Sequence, residues 1–400
     1  MTSKRFFYLL AFALFLRLVF IFGVLNFHPS LYAFVDGDGY MEMGEQFHRG
    51  EYLFENKYFQ RLPFYPAIVS FISLLPVDRI LLVRFWNILV DAVALAMIYI
   101  YAKSAFNERC ALFAGFLYAL HPLVVYRLGM VNTEILQAAL LAICVLGALF
   151  LLRAASPRKA LLLSMAMTLF LFVNTAGRLL PVLYAAFMMI YVRGKKTLLV
   201  IACYLTPAIS FILAWGVYNY VVSGEYFLFD TRGGKEFWVG NCQAIDGREE
   251  GPQREFFLQQ LQRKLDRYIY EFKLTPKGLN DRLFQDGMDE IRANPRGALL
   301  LFAKKVIRFW FVPASETMLW FTIPLQGFYL LTALYGAYLL GIRSPESAIP
   351  FFTIAYFNAI YAVSYACIRY SHAVMPLVCI FSGAALSFLY ERWKLSKARA

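Results

Sequence analysis

Long apolar runs alternate with short charged breaks along almost the whole 400-residue chain. A bilayer span takes roughly 20 apolar residues, and ten windows read as candidate spans: 6–27, 78–102, 108–126, 133–152, 159–174, 178–193, 197–221, 319–341, 347–366 and 371–391. The fifth and sixth are short and read equally as one broken or re-entrant pair. Two longer polar stretches, 28–77 and 222–318, interrupt the series. The first ends in "QRLPFYPAIVSFISLLP", too short to span, which predicts a helix lying in the interface over 63–76. In the second, Phe257, Leu261, Leu265 and Ile269 recur near helical spacing. Thr275 followed by Pro276 predicts a helix start. "NPRGALLLFAKKVIRFWFVP" is apolar but broken by Lys304, Lys305 and Arg308, and reads as a second interfacial helix over 298–312. The expected fold is an all-α polytopic membrane protein: one domain over 1–400, about ten transmembrane helices, and interfacial helices in two extracytoplasmic loops.

Composition agrees. Hydrophobic residues make up 60% of the chain and charged ones 16%, against about 25% charged in a soluble globule. The first span follows Lys4 and Arg5 with no small-residue cleavage site, so it reads as an uncleaved anchor. The formal net charge of +13 raises nucleic acid as a partner, but the basic residues sit at alternate span ends: Lys4/Arg5, Lys103/Arg109, Arg153/Arg158/Lys159, Arg193/Lys195/Lys196, Arg343, and Arg392 onward. The positive-inside rule makes both termini and these loops cytoplasmic; membrane lipids, not nucleic acid, are the expected surroundings. The six cysteines are scattered without a CxxC. Cys242 and Cys367 fall toward the outer side, and a disulfide between them is left open.

Charges within spans are costly and mark function or pairing. Arg84, Asn87 and Asp91 are spaced by three and four, on one helix face. Arg17 lies at the depth of Asp91 and predicts a structural pair. Arg84 sits about 10 Å below the outer surface at 1.5 Å per residue; it reaches an anion there or snorkels to the interface. Glu134 opens the fourth span; with Thr133 or Asn132 as cap it complements the helix dipole, or it points into an outer cavity. The four histidines (His28, His48, His121, His372) are singly placed near outer span ends. Asp36, Asp38, Glu42, Glu45, Arg178 and Arg369 also gather at the outer leaflet. Arginines and carboxylates in one plane suit a reaction on a phosphate-bearing lipid: guanidinium holds phosphate, and a carboxylate takes a proton from an attacking hydroxyl.

"DGDGYMEMGEQFHRGEY" resembles the first-loop pattern of the GT-C glycosyltransferases. More narrowly, the chain is similar to the protein O-mannosyltransferase and aminoarabinose-transferase-like group. "RLPFYP", "RFWN", "HP" with "VNTE" at 121–134, "TAGRLLP", "NYVVSGEYFLFDTRGG", "GN" at 240–241, "NP" at 294–295 and "RYSHAVMP" follow in the same order. The resemblance implies a helical bundle that moves a sugar, with inversion, from a polyprenyl-phosphate donor to a hydroxyl of a lipid, glycan or protein acceptor on the extracytoplasmic face. It implies Asp36 as general base, with Asp38 as second candidate, and Glu134 as the second-loop acid. Arg84, Arg369, Lys304 and Arg308 are the donor-phosphate candidates, and Tyr40, Arg61, Tyr65 and Arg178 the cavity candidates. Many relatives carry Arg-Asn where this chain has Tyr218-Asn219, which passes that cation's work to Arg232, Lys304, Arg308 or Arg369. No cofactor is demanded; a divalent metal held by Asp38, Glu134 and a histidine is left open. The sugar and the acceptor are not specified, and a bacterial inner membrane is the expected location. The competing class is a transporter or flippase of a lipid-linked or anionic substrate. It predicts repeat symmetry and midplane charge, whereas no repeat is seen and the acids cluster at one surface.

Overall fold

The computed structural model describes residues 4–25, 39–51, 54–55, 59–192, 194, 196–247, 254–312 and 319–399. Asp36 and Asp38 lie outside the described residues. Helices account for nearly all of the regular structure; the exception is a hairpin of two-residue strands, β1 (Phe54–Glu55) and β2 (Phe59–Gln60), paired antiparallel.

The membrane part comprises α1 (Lys4–Leu18, prolonged by a wider turn over Val19–Val24), α4 (Arg79–Ala105), α5 (Glu108–Leu120), α6 (Pro122–Arg127), α7 (Glu134–Arg153), α8 (Pro157–Leu171), α9 (Leu180–Tyr191), α10 (Thr197–Ser223), α15 (Leu319–Leu340), α16 (Pro345–Val363) and α17 (Met375–Arg399). Between them lie α2 (Tyr40–His48), α3 (Phe64–Ile72), α11 (Gly233–Asn241), α12 (Arg254–Asp266), α13 (Pro276–Ala293) and α14 (Pro295–Phe311). Among the described residues six helical stretches are long and apolar enough to cross a membrane: Lys4–Val24, Arg79–Ala105, Glu134–Arg153, Thr197–Ser223, Leu319–Leu340 and Ile368–Ala398. The other expected spans, at α5, α8, α9 and α16, are shorter or less apolar. Thirteen residues of α5 reach only about 20 Å.

The expected continuous span over 108–126 is broken at His121. Pro122 has no N–H to continue the preceding turn; it sits at the first position of α6, and His121 caps that helix by accepting from the Val124 amide at 3.4 Å. Other starts follow the sequence. Asp78 accepts from Leu81 N at 2.7 Å, Thr275 from Gly278 N at 3.2 Å and Asn294 from Gly297 N at 3.0 Å. Each satisfies a donor that the first helical turn leaves unpaired.

Small residues let the bundle close. A Cβ on Gly336 would lie 1.9 Å from the Phe381 carbonyl, and one on Gly383 2.6 Å from Ala114 N, so α15 and α5 both pack backbone-close on α17. Arg17 and Asp91 pair as their matching depth predicts. Arg17 Nε meets Asp91 Oδ2 at 2.8 Å, Tyr118 OH donates to Asp91 Oδ1 at 2.7 Å, and Arg17 Nη1 donates to the Ala119 carbonyl at 2.6 Å.

α14 is amphipathic, but two of its cations face inward. Lys305 and Arg308 are buried, while Leu299, Leu300 and Ile307 are exposed. A helix resting on lipid turns its apolar side outward in this way. Lys305 Nζ donates to Asn241 Oδ1 (3.0 Å) and to the carbonyls of Val363 (3.3 Å) and Ser364 (3.0 Å). It thereby joins α11, α14 and the segment after α16. Gly240 completes that joint, since a Cβ there would lie 1.8 Å from the Ser364 carbonyl. All six cysteines, including Cys242 and Cys367, are free thiols.

Candidate active site

A cavity of about 600 Å³ opens where α7 begins and α16 ends, roofed by α11 and α13. Four arginines line it (Arg61, Arg178, Arg232 and Arg369) together with three carboxylates, Glu134, Asp230 and Glu236. At its floor Glu134 is 1% exposed. One of its oxygens, Oε1, accepts from Arg369 Nε. The other, Oε2, is buried and has no hydrogen-bond partner among the described residues. Thr133 makes no capping bond; its hydroxyl accepts from Gln137 Nε2 at 2.7 Å. Of the two readings of Glu134, the structure therefore supports the cavity. A hydrogen-bonded row continues across the floor: Asn174 Nδ2 donates to Gln137 Oε1 (2.8 Å) and to Tyr361 OH (3.1 Å). Tyr361 stacks flat on Tyr370, with centroids 4.4 Å apart.

Tyr40, Arg61, Tyr65 and Arg178, read from the sequence as cavity residues, all line it. Tyr40 and Tyr65 meet edge to face at 4.8 Å, and the Arg61 guanidinium lies 5.3 Å from the Tyr40 ring centroid. The four donor-phosphate candidates divide. Arg369 is on the cavity. Arg84 is not: its Nε donates to the Gly129 carbonyl at 3.1 Å, beside Asn87 Nδ2, which holds the carbonyls of Leu128 (3.1 Å) and Met130 (2.9 Å). The face carrying both residues fixes the turn before Glu134. Lys304 and Arg308 are also off the cavity; both bind Asp246, Lys304 at 2.9 Å. Burial raises the Asp246 carboxyl, but these two cations outweigh it and hold its pKa below the usual range. Helical spacing put Arg84 on a bundle-facing side but could not say which neighbour that face meets.

Sequence reasoning passed over Asp230, Glu236, Asn280 and Phe284. The one local signal was an acid next to Gly-Gly in "FDTRGG". Asn219 explains how that segment arrives. It is fully buried, donates to the Phe227 carbonyl at 2.7 Å and accepts from Gln60 Nε2 at 3.0 Å. Its neighbour Tyr218 faces outward, stacked on Trp215 at 5.0 Å. The chain after α10 then delivers Asp230 and Arg232 to the wall. Arg232 Nε pairs with Glu236 at 2.7 Å. Asp230 accepts from Thr175 Oγ1 (3.1 Å) and from Arg232 N (3.3 Å).

Burial pushes the Asp230 carboxyl up to about 6, against the pull of those two hydrogen bonds and of Arg178. Since the folded value exceeds the unfolded one, its contribution to stability is complete below about pH 4 and is lost as pH rises through 6. Asp230→Asn is therefore expected to raise the melting temperature at pH 8, by on the order of 1–3 kcal/mol of stability at about 1.4 kcal/mol per unit. At pH 4 the two proteins should melt together. Equal melting at pH 8 would place the carboxyl in a water-like setting.

Among the described residues, no group of three or more His, Cys, Asp or Glu side chains is placed to hold a metal ion. Residues 60–218, which carry Arg61, Tyr65, Glu134 and Arg178, match the model of the dolichyl-phosphate-mannose-protein mannosyltransferase family. The whole chain superimposes on the apo oligosaccharyltransferase of Archaeoglobus fulgidus, with a TM-score of 0.61 and 15% identity over 98% of this chain and 51% of that one. The chain shares the membrane fold of that oligosaccharyltransferase. The archaeal oligosaccharyltransferase AglB, solved with an inhibitory peptide and a dolichol-phosphate, matches at TM-score 0.54 and 15% identity, over 90% of this chain and 47% of that one. A form tethered to an acceptor peptide matches at 0.54 and 17%, over 92% and 47%. The chain thus spans about half the length of the solved proteins it matches. No curated protein matches it.

Proposed function

We propose that the chain is an inverting glycosyltransferase that moves a sugar from a polyprenyl-phosphate donor to an acceptor hydroxyl within this cavity. The observation that carries the reading is the Glu134–Arg369 pair, its carboxylate buried and with a spare oxygen, on the floor of a cavity lined by three further arginines. Arg369, Arg178 and Arg232 take the lipid phosphate, Arg232 standing in for the arginine of relatives that carry Arg-Asn at Tyr218-Asn219. Guanidinium groups bind phosphate with charge-assisted hydrogen bonds. The acceptor hydroxyl attacks the anomeric carbon as its bond to phosphate oxygen breaks. The hydroxyl proton passes to a carboxylate, for which the family resemblance nominates Asp36, with Asp38 second. Polyprenyl phosphate leaves, and the arginines stabilise the charge that grows on its oxygen. Glu134 orients Arg369 and offers Oε2 to a hydroxyl of the bound substrates.

The cavity lies at the end of α7 opposite Arg153, which pairs with Glu346 at 3.0 Å. The twenty residues of α7 separate those ends by about 30 Å. Basic loops mark the cytoplasmic side, so the reaction is assigned to the extracytoplasmic face of what we take to be a bacterial inner membrane. The test is to supply purified protein in nanodiscs with radiolabelled polyprenyl-phosphate sugars and a membrane lipid extract. Label is expected in a new product, with free polyprenyl phosphate released in equal amount. Substrate-dependent flux into vesicles, without transfer from any donor, would replace the enzyme with a transporter.

A further inference from the structure

The wall that α11 and α13 present to the cavity has a chemistry different from the floor. Asn280, Phe284, Met288 and Ile291 all line the cavity. Steps of four, four and three put them on one face of α13. The adjoining face of that helix, with Leu279, Leu283 and Gly287 buried, packs on α11. Phe284 stacks on the buried Phe237, with centroids 4.5 Å apart and planes 24° apart, so its orientation is fixed. It is nevertheless 43% exposed, which leaves its outer ring face open. One turn earlier, Asn280 Oδ1 accepts from the Gly234 amide at 2.7 Å. This approach depends on glycine: a Cβ on Gly234 would lie 1.9 Å from the Asn280 carbonyl. Next to it a Cβ on Gly233 would meet nothing within 4 Å, so the cavity reaches the backbone itself. Asp230 completes the wall. It accepts two hydrogen bonds, and a carboxylate has about four lone-pair sites.

We propose that Asp230, Asn280 and Phe284 form a saccharide subsite that holds one pyranose ring. A pyranose is two-natured. Its C–H face is apolar and faintly positive, and suits the electron-rich face of an aromatic ring. Its rim of hydroxyls needs acceptors and donors within hydrogen-bond reach. Here the open face of Phe284 takes the C–H side, while Asp230 and the Asn280 amide take the rim. A second phosphate is disfavoured on this wall, because Arg232 serves the lipid phosphate and Asp230 adds negative charge. Since burial keeps the Asp230 carboxyl near 6, it serves hydroxyls both as acceptor and, when protonated, as donor.

The subsite rests on the glycosyl-transfer reading, and its ring comes either from the donor's sugar or from a saccharide acceptor. The experiment is saturation-transfer NMR on the full chain in nanodiscs free of glycoside detergents. Its probes are methyl D-gluco-, manno- and galactopyranosides. At least one glycoside is expected to show transfer to its ring C–H protons, falling at least fivefold in Phe284→Ala and persisting in Phe284→Trp, which keeps an aromatic platform. Displacement by an added polyprenyl-phosphate sugar would assign the subsite to the donor; undiminished signal would assign it to the acceptor. No signal from any glycoside, or equal signals in wild type and Phe284→Ala, overturns the subsite. If label transfer persists in that case, the enzyme stands and only the subsite falls. If glycosides bind but no donor is ever used, the subsite stands and the transferase reading falls.

Discussion

Glu134→Gln is expected to cut turnover by roughly 10²–10³-fold, the range seen when one preorganised polar group is removed from a transition state. The substitution keeps the size of the side chain and removes its charge. Arg369 then loses the carboxylate that its Nε bonds, and its guanidinium is less firmly aimed at the charge that grows on the departing phosphate oxygen. The spare Oε2, buried on the cavity floor, is also lost as an acceptor for a substrate hydroxyl. Because Glu134 acts through orientation and late hydrogen bonding, kcat should fall while the donor KM changes by less than about threefold. The melting temperature should move little, since glutamine still fills the space. A loss of turnover below threefold would remove Glu134 from the machinery. A rise in KM alone would recast it as a binding group.

The second large effect concerns folding. Asp91→Leu strips the partner from Arg17 in the middle of the bundle, where both side chains are 1% exposed. Breaking one side of a buried pair leaves an uncompensated charge and costs about 3–5 kcal/mol, and the membrane offers no water to relieve it. The Arg17→Met/Asp91→Leu double variant removes both charges and should recover most of the loss. Cys110, Cys144 and Cys379 are buried free thiols, so a thiol-reactive dye reports unfolding. The single variant is expected to melt roughly 6–20 °C lower, taking about 2–4 °C per kcal/mol for a large domain, and the double variant close to wild type. If the double variant melts as low as the single one, Tyr118 and the Ala119 carbonyl, not the ion pair, hold that layer together.

These two sites mark what the sequence made legible. Arg17 and Asp91 could be matched because depth in a span is a simple count of residues, and two opposite charges at one depth have few other partners. The cap at Thr275 follows from a local rule of the same kind. The Pro122 break was equally local, yet the apolar run through His121 masked it. The cavity was only half legible. Tyr40, Arg61, Tyr65, Glu134 and Arg178 lie in stretches whose pattern resembles the GT-C glycosyltransferases. Asp230, Asn280 and Phe284 meet only because Asn219 folds the segment after α10 inward and Gly234 lets α11 touch α13. Neither contact has a period or a spacing to read. Arg84 shows the reverse: its face was read correctly, but what lies against that face is the Gly129 turn and not the cavity.

On the transfer reading, a polyprenyl phosphate lies in the cavity with its phosphate among Arg178, Arg232 and Arg369. Photo-crosslinking locates it. A short-chain polyprenyl phosphate carrying a diazirine on its first isoprene unit is irradiated with the protein in nanodiscs, and the modified peptides are sequenced by mass spectrometry. Adducts are expected within 174–182, 229–237 and 360–370, suppressed in Arg369→Ala. Adducts confined to the apolar groove of Tyr8, Phe12 and Phe116 at the basic end of the bundle, and unchanged in Arg369→Ala, would contradict that reading.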